Sequence, residues 1–378
     1  MNRAPLIAIG LLGVAALAVA AWWMLRGKLE NEAIRFVAVG FDAVPGWAED
    51  DHAAAFASLI RCCRKTPPAR VSPSCAAALA LGDAPDPATA RDFFETHFQP
   101  HRIEGATPPG FVTGYYEPVI DGSRKRDDRF HVPVLARPDD LVTLKSDIER
   151  ARFNDEITGA RRDGEDLVPY HTRGEIIDGA LAGRGLELLY LDDPVELFFL
   201  QVQGSGVVRL TDATSVRLGF AAKNGHPYTS IGKVLVARGE GSPKSLGMDG
   251  LKAWLRADPA RGQALMNENK SYVFFRLLEG EEGKDGPVGA QGVALTPGRS
   301  LAVDASYHDL GLPIFVVAPT LEDADGAPFR HLLIAQDVGS AIRGPERGDI
   351  FWGTGAAAGV IAGSTRHDAQ FFILKPKN

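Results

Sequence analysis

Apolar and polar positions change rhythm three times along this chain. Between residues 47 and 99 the apolar positions recur at helical spacing. In WAEDDHAAAFASLIRCCRK, Trp47, Ala54, Leu59 and Cys62 fall at roughly that spacing. Asp50 and Asp51 stand in its first turn, where carboxylates complement the helix dipole. DPATARDFFETHF predicts a second short helix with Asp86 as its cap. Beyond residue 108 the period shortens to two. GFVTGYYEPVI, ELLYLDDPVELFFLQVQGSGVVRL and SVRLGFAAKNG alternate, carry β-branched and aromatic residues, and are cut by Gly or Asp-Asp. That texture predicts strands. LKSDIERARFNDE reads as a loop or short helix between them, and GMDGLKAWLRADPARGQALMNEN returns to helix. From Tyr272 onward short strands resume: YVFFRLL, SLAVD, PIFVVA, HLLIAQDV, DIFWG and FFILKP, with turn residues between. Short strands without intervening helices predict a small closed barrel rather than a βαβ sheet. The pattern therefore orders the chain as helical lead-in, central β domain, helical return and C-terminal β-barrel.

The first 33 residues follow another rule. An uncharged run from Ala4 to Leu25 is flanked by Arg3 on one side and by Arg26 and Lys28 on the other. It is long enough to cross a bilayer, which takes roughly 20 apolar residues. Trp22 and Trp23 stand where interfacial aromatics anchor such helices. AVA at Ala18–Ala20 also fits a signal-peptidase site, so a membrane anchor and a cleaved signal both remain open. Either places the body of the protein outside the cytoplasm if the segment is an export signal. There Cys75 can pair with Cys62 or with Cys63; the alternative leaves all three thiols free and buried.

Composition removes several functions. With 378 residues and 45% hydrophobic content, the chain suits one large or two ordinary domains. A net charge of −7 without a basic stripe argues against a nucleic-acid partner. Three cysteines exclude a disulfide-built scaffold. His-Glu-x-x-His, paired Cys-x-x-Cys, P-loop and Gly-x-Ser-x-Gly motifs are absent, and the nine histidines show no ligand spacing, so neither metal nor cofactor is expected. GTGAAAG (Gly353 to Gly359) imitates a dinucleotide fingerprint but lacks the βαβ unit and downstream acid that motif requires. DVG at Asp337 resembles half of an aspartic-protease site, without a second half.

What remains is polar chemistry in sharply shaped β-rich loops. TGYYEP carries Thr113, Tyr115, Tyr116 and Glu117; YHTRGEI carries Tyr170, Arg173 and Glu175. LQVQGSG, read as a strand, sets Gln201 and Gln203 on one face and then Ser205 between glycines. KNGHPYTSIG, MNENKSYVFF and LTPGRSLAVD add Asn224, Asn267, Asn269, Arg299 and Asp304. Singly, each reads as a satisfied turn or strand group. Together they suit a carbohydrate cleft, with rings for sugar faces and amides for hydroxyls and acetamides.

TGYYEP, FFLQVQGSG, NGHPYTSIG, MNENKSYVFF, LTPGRSLAVD, AQDVGSAIRG and RGDIFWGTGAAAG occur in this order. The set resembles the membrane-bound lytic murein transglycosylase A family from Trp47 to Pro376. The last three segments resemble its three-aspartate (3D) domain, with Asp304, Asp337 and Asp349 in the three positions. The resemblance implies a mainly β protein with a helical lead-in. Residues 34–117 and 241–378 would form a double-psi β-barrel, residues 118–240 a smaller inserted β domain, with glycan in the groove between. It implies cleavage of the β-1,4 bond between N-acetylmuramic acid and N-acetylglucosamine, leaving a 1,6-anhydro end, by a monomer acting on peptidoglycan strands; a murein hydrolase on the same scaffold and a non-catalytic murein-binding protein are the alternatives. It assigns catalysis to Asp349, with Asp337 as a supporting carboxylate, and substrate contacts to Thr113, Tyr115, Tyr116, Tyr170, Gln203, Ser205 and Asp304. For Asp304 and Asp337 hydrogen bonding within turns is the plainer alternative.

One departure stands out. Family members are commonly lipoproteins with an acylated cysteine just after the signal, and here no cysteine precedes Cys62. A protein anchor in the inner membrane, or a free periplasmic enzyme, is expected instead. The chemistry itself needs only one acid, because the sugar's C6 hydroxyl supplies the nucleophile. That acid must hold a proton near neutrality, so burial or a nearby negative charge has to raise it. The apolar residues after Asp349 and the carboxylate of Asp337 are the expected sources.

Overall fold

The computed structural model describes residues 34–66, 72–105, 109–154, 156–278, 285–323 and 326–377. The apolar N-terminal run lies outside the described residues. Among the described residues no helix is long and apolar enough to cross a membrane.

The chain lays down strands β1 (Arg35–Ala38), β2 (Phe98–Glu104) and β3 (Phe111–Glu117). It then builds β4 (Val119–Ser123), β5 (Val132–Leu135), β6 (Val142–Thr143), β7 (Gly159–Asp163) and β8 (Asp166–Pro169). β9 (Glu187–Leu191), β10 (Gly206–Leu210), β11 (Ser215–Lys223) and β12 (Val273–Leu278) follow. It returns with β13 (Ser300–Val303), β14 (Pro313–Glu322), β15 (Pro328–Val338), β16 (Arg347–Thr354), β17 (Arg366–Asp368) and β18 (Gln370–Pro376). The first and last groups share one nine-stranded sheet in the order β1-β2-β18-β14-β15-β13-β16-β3-β17. Thr320 of β14 meets His367 of β17 at 2.9 Å, which ties the end of the sheet back onto its middle and nearly closes a barrel. Two pairings, β13 with β15 and β16 with β3, are parallel within this otherwise antiparallel sheet.

Alternation along the barrel strands sorts side chains into two environments. Val112, Leu301, Val303, Leu333, Ala335, Ile350 and Phe371 fill the interior. Leu332 and Ile334 point outward, under the helices His52–Lys65 and Pro87–His97, and pack with Phe56, Phe93 and Phe94. Each such fully buried side chain contributes about 1.5–3 kcal/mol. Asp51 caps the first helix through Ala54 N at 3.0 Å and Asp86 caps the other through Ala88 N and Thr89 N. Asp50 does something the helix pattern did not suggest. Its buried carboxylate accepts from Arg299 Nη1 at 2.9 Å, His331 Nδ1 at 2.7 Å and Leu332 N at 2.7 Å, fastening the lead-in to the barrel.

The cysteine question resolves by helix geometry. Neighbours on a helix point about 100° apart. Cys63 faces the helix Pro73–Leu81 and is disulfide-bonded to Cys75, while Cys62 turns to the barrel and meets Gln336 Nε2 at 3.1 Å.

Between β3 and β13 lies a second body, with a six-stranded sheet in the order β12-β11-β10-β4-β9-β5 and a small sheet of β6, β7 and β8. Its pairing continues past residue 240, because β12 lines up against β11. One element departs from the sequence pattern. ELLYLDDPVELFFLQVQGSG is strand only as far as Leu191; Pro194–Gln203 is a helix. Asp193 caps it through Val195 N, Pro194 opens it, and Gly204 closes it at φ 83°. Those end signals outweigh the weak alternation of LFFLQVQ.

Candidate active site

On the outer barrel face that the helices leave uncovered, the strand register sets polar residues in one row. Asp337 of β15 opposes Ala302 of β13, Ala302 opposes Asp349 of β16, and Asp349 opposes Thr113 of β3. Opposed residues project to the same side of a sheet. With strands about 4.8 Å apart, the two aspartate backbones stand about 10 Å apart, with only the methyl of Ala302 between them.

Asp337 reaches this row by a bulge. Leu301 opposes Ala335, but Ala302 opposes Asp337, so Gln336 is an extra residue in β15. Strict alternation would send Asp337 inward with Leu333 and Ala335. The bulge turns it out beside Asp349, as bulges near active sites commonly do. Gln336 is itself held: it accepts from Ser58 Oγ at 3.1 Å and from Ser300 Oγ, and donates to Ser58 O at 2.9 Å. The helical lead-in thus braces the bulge that aims a site carboxylate.

The two aspartates have different surroundings. Asp349 Oδ1 accepts from the Thr113 hydroxyl at 2.6 Å, and that hydroxyl accepts in turn from Arg347 Nη2 at 2.7 Å. Asp349 Oδ2 has no partner among the described residues. Burial pushes the Asp349 carboxyl up to about 6, against Thr113 and the Arg347 charge, and the Asp337 charge adds to the rise. Asp337 takes three donors: Ala290 N at 3.0 Å and Val338 N at 2.9 Å on Oδ1, and Tyr115 hydroxyl at 3.0 Å on Oδ2. Burial raises Asp337 too, but all three donors favour its ionised form. Burial and both carboxylates hold the Tyr115 phenol well above its usual range, so it stays a donor.

Of the apolar residues after Asp349, only Phe351 shares its face, packing with Tyr115, Leu295 and Ala302. Ile350 points into the barrel. Trp352 lies under the helix Ala356–Ser364, where Gly114 is required: a Cβ there would meet Trp352 Nε1 at 2.6 Å and Ala362 Cα at 2.9 Å.

The second body touches the barrel at both ends of the row. At the β3 end, Gln203 Oε1 accepts from Tyr116 N at 3.0 Å, and Arg217 pairs with the fully buried Glu117 at 2.9 Å. At the β15 end, Lys223 Nζ meets Ser340 Oγ at 3.1 Å. The carboxylates lie between these contacts, along the seam of the two bodies.

The other candidate residues divide. Thr113, Tyr115, Asp337 and Asp349 come together. Tyr116 and Gln203 stand at the edge of the seam, and Ser205 follows, half-buried, with no side-chain partner among the described residues. Because the helix turns residues two apart to different sides, Gln201 is not Gln203's neighbour; it holds Arg173 Nη1 at 2.6 Å inside the insert. Tyr170 is 1% exposed in the insert core, its hydroxyl on Asp140 at 2.9 Å, so it does not reach the row. Asp304 is 4% exposed and accepts from Ser306 N, Ser306 Oγ and Gly344 N, which braces the loop before β16. Arg347 is the residue the sequence reading passed over. Its signal was parity: two residues before Asp349 on one strand means the same face.

Comparison with known proteins bears on this geometry. Residues 111–276 match the family model of the MltA specific insert domain, and residues 299–375 match the 3D domain. The membrane-bound lytic murein transglycosylase A of Vibrio cholerae is 34% identical over 301 residues, 78% of this chain and 72% of that protein. The chain belongs to the membrane-bound lytic murein transglycosylase A family. The Escherichia coli K12 member is 32% identical over 281 residues, covering 72% of this chain and 68% of that protein. A solved membrane-bound lytic murein transglycosylase from Agrobacterium tumefaciens superposes with a TM-score of 0.80 at 38% identity, over 90% of this chain and 97% of that one. E. coli MltA with bound chitohexaose superposes with a TM-score of 0.66 at 28% identity, over 91% and 95%. The family's mainly β fold, a nearly closed barrel with an inserted β body, is the one described above.

Proposed function

We propose that this lytic murein transglycosylase cleaves the β-1,4 bond between N-acetylmuramic acid and N-acetylglucosamine with Asp349 as its one acid and base. The observation that carries the reading is the asymmetry of Asp349: Oδ1 is fixed by Thr113, Oδ2 is unpartnered among the described residues, and burial raises the carboxyl to about 6. Oδ2 gives its proton to the glycosidic oxygen, the C1–O bond breaks, and positive charge spreads over C1 and the ring oxygen. The Asp349 carboxylate then takes the proton of the C6 hydroxyl as O6 bonds to C1. The proton is back on Asp349, and no water is consumed. Asp337, whose three donors favour its ionised form, supports the charge at C1 and adds to the rise of the Asp349 carboxyl.

Peptidoglycan is the substrate class of the family. A relative solved with chitohexaose, a β-1,4 chain of N-acetylglucosamine, supports a glycan path along the seam. Tyr116, Gln203 and Ser205 are proposed as its contacts, with Tyr170 and Asp304 shaping the bodies that form it. The relatives' names make the enzyme envelope-associated. We place it in the periplasm as a monomer, with the N-terminal run as inner-membrane anchor or cleaved signal. Sheet pairing favours ending the insert after Leu278 rather than at residue 240.

The pH dependence of kcat on purified murein tests the acid. A general acid works protonated, so activity should fall as pH rises through about 6. A rate that climbs through that range would remove Asp349 as the donor.

A further inference from the structure

The loop of residues 339–346 joins the two site aspartates, and it is where the insert reaches over the β15 end of the row. Ser340, three residues after Asp337, meets Lys223 Nζ at 3.1 Å. Lys223 ends β11 and is half-buried, yet no carboxylate lies within ion-pair distance of it among the described residues. Arg343, on the same loop, adds a second positive charge beside it, and burial and that charge both press the ammonium below its usual range. The nearest acid to Arg343 is Asp304, at 3.7 Å, already engaged by Ser306 and Gly344. A shielded ammonium without a counter-ion is costly as architecture, since removing a charge from water is offset only by an opposite charge or strong hydrogen bonds. Two cations and a hydroxyl opening on a substrate seam have the composition of a carboxylate site.

We propose that Lys223, Ser340 and Arg343 form a subsite for a carboxylate borne by the muramic acid unit. The sugar rings of murein are neutral. Its negative charge sits on the lactyl ether at C3, either as the free carboxylate or on the peptide attached there. The site therefore reads the muramyl substituent, and distinguishes muramic acid from N-acetylglucosamine by charge. This rests on the murein reading above.

The test measures kcat/KM of the full enzyme and of Lys223→Gln on peptide-bearing glycan strands and on strands stripped by an amidase, together with the Kd for neutral chitohexaose. Loss of one charge-assisted hydrogen bond should lower kcat/KM about tenfold on charged strands and leave the chitohexaose Kd unchanged. A loss confined to peptide-bearing strands identifies a stem carboxylate; a loss confined to stripped strands identifies the lactyl carboxylate, which is a neutral amide while the peptide is attached; a loss on both means that the subsite takes either. Lys223→Arg should recover most of the rate in each case. An equal loss of chitohexaose affinity would mean that Lys223 only holds the loop, and would overturn the subsite, as would no change on any strand. Failure of the unsubstituted enzyme to cleave any strand would instead count against the murein reading itself.

Discussion

Replacing Asp349 by Asn lowers the release of soluble fragments from murein by at least about 10³-fold and leaves the fold intact. General acid–base catalysis is worth about 10²–10⁴-fold for one proton transfer, and here one carboxylate handles two. The substitution is nearly isosteric. The Asn carbonyl accepts from Thr113 as Oδ1 does at 2.6 Å, and its amide takes the place of the unpartnered oxygen. No buried donor is stranded, so glycan binding and the thermal transition should stay near those of the unsubstituted protein. Measurement of release rate beside the melting curve separates lost chemistry from lost structure. Retained turnover in a folded Asp349→Asn protein would take Asp349 out of the mechanism.

Replacing Asp337 by Asn should cost less, about 10- to 100-fold in kcat, and should also move the pH profile. The size follows from removing one preorganised charge from the transition state. The sign follows from the like charge: Asp337 raises Asp349, so its neutralisation lowers the Asp349 pKa. The decline in activity with rising pH should therefore begin at lower pH. The Asn carbonyl still serves Ala290 N and Val338 N, and Tyr115 can turn its hydroxyl to accept from the new amide. An unshifted profile with a reduced rate would confine Asp337 to stabilising the charge at C1.

Much of this site is readable from the chain because alternation is local. The run DIFWG alone separates Asp349 and Phe351 from Ile350, and SLAVD sets Ala302 apart from Leu301 and Val303. The misreadings have a common origin in effects that alternation does not encode. LFFLQVQ alternates poorly enough to be either element, and the end signals of Asp193, Pro194 and Gly204 decided for helix. That reversed the relation of Gln201 and Gln203. The same limit hid the aim of Asp337. HLLIAQDV read as an unbroken strand points Asp337 into the barrel, and only the Gln336 bulge, braced from Ser58 on a distant helix, turns it out. Asp304 and Tyr170 share the residue types of a sugar site, but each is held by a partner distant in sequence, Gly344 and Asp140, 40 and 30 positions away and beyond any local motif. Arg347 and Lys223 act through groups on other strands and bodies, Thr113 and Ser340, and a single segment carries no trace of such pairings.

Digestion of purified murein in ¹⁸O-labelled water, followed by mass spectrometry of the soluble products, tests the one-carboxylate mechanism most directly. Closure by the sugar's own O6 predicts muramyl ends one water lighter than reducing ends, with no ¹⁸O. Reducing ends that carry ¹⁸O would mean that water is the nucleophile, with Asp337 as the group that activates it, and would contradict the mechanism.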